Sequence, residues 1–195
     1  MSDTGLSSAP LKSSGSLRVL TLNLWGQNDD WADRRSVLIN GLRKLNPDLV
    51  AFQEALKTED YDQTVDLLGP GYEVTYQTDR DTHGTRCSIA SRWPLENVRE
   101  LDLHLTPRTK DFPCAILVAE ISAPEPVGTL LFANHFPNYQ LDFELERELQ
   151  AVAAAKFIEE LIGPRNLMLY WLVTSMPLPK RLVCASGVAG NLWAG

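Results

Sequence analysis

Asn23 and Glu54 are the residues whose types and spacing most readily do chemistry. Each lies near the C-terminal end of an apolar run, LRVLTLNLW over 17–25 and PDLVAFQEA over 47–55. A carboxylate that follows LVAFQ in a buried strand needs a cation or several donors to offset its desolvation. A neutral amide beside it completes a donor set that suits Mg²⁺, which takes one or two protein carboxylates and keeps several waters. Asn23 alone reads equally as a turn-former or a satisfied core amide, and only the pairing with Glu54 turns the reading toward a metal site. His135, in LLFANHFPN, sits at a strand end before a Pro-Asn turn. It reads either as a crevice residue or as a half-buried histidine bonded to neighbouring backbone. His83 and His104 read as surface residues.

The elements that must bring Asn23 and Glu54 together are visible in the pattern. After the first strand, Asp29 or Asp30 can cap a helix whose Val37, Leu38, Leu42 and Leu45 fall on one face. Asn46-Pro47-Asp48 stops it and starts the next strand. This is a βαβ unit, so the two strands are expected to be parallel with a right-handed crossover, and Asn23 and Glu54 to reach the same sheet edge. A short helix is predicted over 61–69 and strands over 72–78, 86–91, 97–105, 114–122 and 128–136, an antiparallel meander. A long helix follows, with Leu145, Leu149, Ala153, Phe157 and Leu161 as its apolar stripe and Glu144, Glu146, Arg147 and Glu148 on the opposite side. No internal repeat is present. The order of elements predicts an α+β domain of two packed sheets with helices outside.

Composition narrows the function classes. The chain has 195 residues, enough for one domain with a substantial core. Its net charge of −7 argues against broad electrostatic capture of nucleic acid, while an acidic protein can still bind a phosphate ester through a metal ion. Cys87, Cys114 and Cys184 have no metal-site spacing and read as reduced thiols. Residues 1–16, rich in Ser and Gly with no apolar core, read as a flexible leader and not a signal peptide. The run LMLYWLV is far below membrane-spanning length. A cytoplasmic protein without a transmembrane segment is expected, and no protein partner is identifiable.

The run TLNLW, the strand PDLVAFQEA, the segment SIASRWPL and the run FANHFPN, in this order, resemble the endonuclease/exonuclease/phosphatase superfamily. The resemblance covers roughly residues 17–165 and implies a four-layered α/β-sandwich that hydrolyses phosphoesters with Mg²⁺ or Mn²⁺. By the same resemblance, Asn23 and Glu54 help hold the metal, and His135 contacts the scissile phosphate as an acid or a hydrogen-bond donor. The substrate would be a nucleic acid, a phospholipid or a small phosphate ester. A carboxylate-pair glycoside hydrolase is the weaker reading, because only Glu54 has a convincing site context.

The resemblance stops near residue 165. Such a protein is expected to continue with an apolar strand closing in Gly-Asp-Phe-Asn or Gly-Asp-Phe-Asp, and later with an Asp-His pair that activates the attacking water. This chain has no Asp or Glu after Glu160 and no His after His135. Residues 166–195 therefore read as a tail outside the family pattern, expected to add no strand of that pattern, so that the sandwich is incomplete at its C-terminus. The codons of Trp171 to Lys180, read from their third bases, permit Ala-Gly-Asp-Phe-Asp/Asn-Ala-Thr-Pro-Glu, with the Met176/Pro177 overlap forced to Ala. The tail is thus read as a frameshift product beginning near 164–170. The expected function is an impaired metal-dependent phosphodiesterase, nuclease or phosphatase; the alternative is an inactive fragment or pseudoenzyme that binds a ligand or partner.

Overall fold

The computed structural model describes residues 17–78, 84–165 and 167–173, and the backbone of 183–185. The leader over 1–16 and His83 lie outside the described residues. In chain order the elements are β1 (Val19–Asn23), α1 (Trp31–Leu45), β2 (Leu49–Leu56), α2 (Gln63–Leu68), β3 (Glu73–Tyr76), β4 (Thr85–Ser91), β5 (Leu95–Asp102), β6 (Ala115–Ser122), β7 (Thr129–Phe136), α3 (Glu144–Ile162), β8 (Met168–Val173) and β9 (Val183–Ala185). Two sheets result, ordered β3-β4-β2-β1-β9 and β5-β6-β7-β8.

The apolar runs explain the layers. Leu49 and Ala51 point into the core between the sheets, where Leu117, Ala119, Leu130 and Phe132 meet them from the second sheet. Val50 and Phe52, one residue out of phase, are covered by Leu38, Leu42 and Leu67 of α1 and α2. On the far side, Ile116, Val118, Leu131 and Ala133 pack under Ala154 and Ile158 of α3. Helices, sheet, sheet and helix make four layers, with the central strands β2, β6 and β7 buried on both faces as their near-continuous apolar sequences require. β1 and β2 are parallel, with Asn23 opposite Gln53, as a βαβ unit dictates. β5, β6 and β7 form the expected antiparallel meander.

Several local expectations are corrected. Val37 is 71% exposed and does not share the buried face of α1. Asp30 occupies the N-cap of α1 but its side chain makes no capping bond. In α3 the buried face at the N-terminal end is Glu146 and Gln150, while Leu145 and Leu149 face solvent. The reason is hydrogen bonding: Arg108 Nη1 donates to Glu146 at 3.0 Å. Gln150 accepts from the Asn138 amide and donates to the Leu103 carbonyl, both at 2.9 Å. These bonds offset much of the cost of burying the polar groups, and the leucines turn outward. His104 is not a free surface residue, because Nδ1 meets Asp102 at 2.6 Å and Nε2 meets the Phe112 carbonyl at 2.7 Å. The tail also departs from expectation: residues 168–173 form β8, paired in parallel with β7 from Leu130↔Met168 to His135↔Val173. Cys87 and Cys114 are buried.

Candidate active site

A bulge in β2 makes the site. Alternation would send residue 54 to the helix-covered side with Val50 and Phe52. Between Phe52 and Ala55 the register with β4 shifts, so that β2 carries one residue more than its partner. Ala55 takes the helix side instead, and Glu54 adopts φ +51°, a left-handed backbone rare for a side-chain-bearing residue. The extra residue re-aims Glu54 toward the space between the sheets.

Asn23 meets it there. Asn23 Nδ2 donates to Glu54 Oε1 at 2.7 Å, and Asn23 Oδ1 accepts from the Trp25 amide at 2.8 Å. The two bonds fix the amide's orientation, since only its oxygen can accept from a backbone N–H. The turn after β1 is tied to the same place, with the Gly26 amide donating to the Glu54 carbonyl at 2.8 Å. Glu54 therefore keeps its second oxygen and spare lone pairs, while the oxygen of Asn23 is engaged.

Asn23, Glu54 and His135 line one cavity of about 560 Å³. His135 comes from the second sheet, at the C-terminal end of β7, and is 2% exposed. Neither ring nitrogen has a hydrogen-bond partner among the described residues. Burial pulls its pKa down to about 4, so the ring is neutral at neutral pH. Its ring lies 5.7 Å from that of Trp171 on β8. Sequence reasoning missed two further members of the wall, Arg147 and Trp171. Arg147 sits in a run of charges that resembles a solvated face. In the fold its guanidinium donates to the carbonyls of Gln140 and Leu141, fastening the turn after β7. Trp171 belongs to the tail, where no family pattern was expected.

The donor set fits one kind of metal. Among the described residues no three His, Cys, Asp or Glu side chains cluster as a ready metal cage. One carboxylate with a free oxygen, steadied by an amide, suits a hard cation that retains most of its waters and does not suit a closed zinc site. The unpartnered nitrogens of His135 leave hydrogen-bonding capacity on the opposite wall.

The sequence matches the Endonuclease/Exonuclease/phosphatase family over residues 20–164, and the chain belongs to that family. Solved structures share the fold at low identity. The human Nocturnin catalytic domain with bound sulfate has a TM-score of 0.65 and 17% identity, covering 83% of this chain and 64% of that one. TDP2 of D. rerio, complexed with single-strand DNA product, has a TM-score of 0.65 and 19% identity, covering 79% and 58%. A mannosyl-6-phosphatase of Bacteroides thetaiotaomicron has a TM-score of 0.64 and 20% identity, covering 78% and 62%. The chain thus spans less than two thirds of the length of these structures. No curated protein matches the sequence. No helix among the described residues is long and apolar enough to cross a membrane.

Proposed function

We propose that the chain carries the metal-binding part of a Mg²⁺- or Mn²⁺-dependent phosphoester hydrolase. The observation that supports this best is the convergence of Glu54, Asn23 and His135, from two sheets, on one cavity. Glu54 is the cation's carboxylate ligand, and Asn23 holds that carboxylate in place. When bound, the cation supplies Lewis-acid stabilisation of the phosphoryl oxygens and the leaving group. His135 is neutral at pH 7 and so donates an N–H to a phosphoryl oxygen; it does not deliver a proton as an imidazolium. Arg147, the one cation among the described lining residues, adds positive potential for the substrate's phosphate. The substrate class is a phosphoester, and the net charge of −7 weighs against long nucleic acid.

Activity is proposed to be low. The Gly-Asp-Phe-Asn/Asp motif expected after α3 has no counterpart in residues 166–195, which contain no Asp, Glu or His. At the end of β8 the cavity wall is Trp171 and Val173, both apolar. The shifted frame of the same codons would put the Asp of Gly-Asp-Phe at the Val173/Thr174 overlap, and Val173 pairs with His135 in register. That coincidence supports a frameshift origin of the tail, which the gene sequence around codon 164 tests directly. The apolar wall also favours the second reading, a non-catalytic protein that retains a ligand pocket or binds a partner. Metal titration separates the two. Mg²⁺ or Mn²⁺ raises the melting temperature on the first reading, and Glu54→Ala abolishes the rise; no rise in either protein supports the second.

A further inference from the structure

The residues one step before Glu54 and His135 meet in the core between the sheets. Gln53 Nε2 donates to Asn134 Oδ1 at 2.7 Å. Asn134 Nδ2 in turn donates to the Phe52 carbonyl at 2.8 Å and the Ser88 carbonyl at 2.9 Å, both in the first sheet. Gln53 also reaches Thr21 Oγ1 at 3.1 Å. Both amides are buried, Gln53 at 1% exposure and Asn134 at 0%. Around them the contact is apolar, through Ala51, Leu117 and Phe132.

Apolar contact is non-directional and fixes a spacing better than an offset. A hydrogen bond requires good distance and angle, and a buried amide left unpaired is costly, so an amide bridge selects one lateral placement of the sheets. The bulge allows Gln53 to point at Asn134 while its neighbour Glu54 turns to the cavity. We propose that the Gln53–Asn134 pair is the positioning device of the site, holding the two sheets at the offset that brings Glu54 and His135 to one cavity. Its importance for chemistry rests on the metal-dependent reading above; the geometric role stands apart from it.

A length swap tests the bridge in the full chain. Gln53→Asn shortens it by one methylene, Asn134→Gln lengthens it by one, and the double variant restores the total reach. Urea unfolding of the four proteins reads the coupling, with both single variants expected to lose stability and the double to recover most of the loss. The second readout is broadening of histidine ring protons by Mn²⁺ alone. Only three histidines are present, so the His135 signals can be assigned by substitution. Wild type shows selective broadening at His135. Each single variant loses it yet keeps the Mn²⁺-induced rise in melting temperature, because Glu54 and Asn23 sit in the same sheet; the double variant regains it. A single variant that fails to fold but is rescued by the second substitution also supports the bridge. Additive stability losses, or broadening that persists in both single variants, overturn it. If wild type shows no response to Mn²⁺, the metal reading fails, and the urea cycle still decides the bridge.

Discussion

Glu54 and His135 face one cavity from two sheets, and their surroundings differ in kind. The Glu54 wall is finished: the carboxylate is held by Asn23, Asn23 by the Trp25 amide, and the Glu54 carbonyl by Gly26. The His135 wall is not, for both ring nitrogens lack partners among the described residues and the strand beside it offers Trp171 and Val173. A polar side chain that is buried without partners costs stability unless a ligand, water or neighbour uses it. The contrast teaches that the groups of the first sheet are fixed by hydrogen bonds within that sheet and its following turn, whereas His135 in the second sheet is held by packing alone.

The largest effect that can break this comparison is the pH dependence of stability. The imidazole titrates near 6.5 when unfolded and, pulled down by burial, at about 4 in the fold. Between these values the unfolded chain takes up a proton that the native chain refuses. The stability present above pH 6.5 is therefore lost as pH falls toward 4, by up to about 3 kcal/mol. The carboxyls of Asp66 and Glu120, held low by Arg35 and Arg165, add a loss in the same direction at lower pH. His135→Leu shares that loss, so the difference between the two proteins isolates the histidine. Urea midpoints at pH 7 and pH 4.5 check it: wild type falls more steeply, and parallel curves would mean that His135 is paired or solvated.

A smaller effect lies on the finished wall. Asn23→Ala leaves Glu54 free to bind a cation but removes its orienting donor. Groups that steady a metal ligand typically contribute 10–100-fold to affinity, so Mn²⁺ binding is expected to weaken by about that factor, measured by calorimetry. Asn23→Asp sharpens the point, since a second carboxylate in place of the amide adds charge for the cation while repelling Glu54 in its absence. An unchanged affinity in Asn23→Ala would leave Glu54 positioned by the bulge alone.

The two walls were also unequally legible in the sequence. Parallel β1 and β2 follow from two apolar runs, a helix of crossover length and a Pro-terminated boundary, so the meeting of Asn23 and Glu54 could be expected. The bulge that achieves it could not, because the run LVAFQEA carries no glycine or other sign of an inserted residue. His135 could be placed at a strand end, but not its burial beside Trp171 of β8, which only the tertiary fold brings next to it. Arg147 was hidden by its neighbours, for a charge run carries no sign of which member turns inward.

α3 shows the same limit in reverse, and yields the smallest effect. Its leucines at 145 and 149 begin an apolar stripe, and periodicity alone assigns them to the core. The fold buries Glu146 and Gln150 there, because hydrogen bonds to Arg108, Asn138 and Leu103 offset their desolvation and hold the turn after β7. Periodicity measures hydrophobicity and has no access to such partners. Leu145, 63% exposed, is thus expected to tolerate change: Leu145→Gln alters stability by no more than about 0.5 kcal/mol. Gln150→Leu, conservative in volume and favoured by a hydrophobic count, removes the partner of the Asn138 amide and one of the two donors to the Leu103 carbonyl, and destabilises by about 1–3 kcal/mol. Urea unfolding of the pair decides which face carries the helix, and a reversed order would return the leucines to the core.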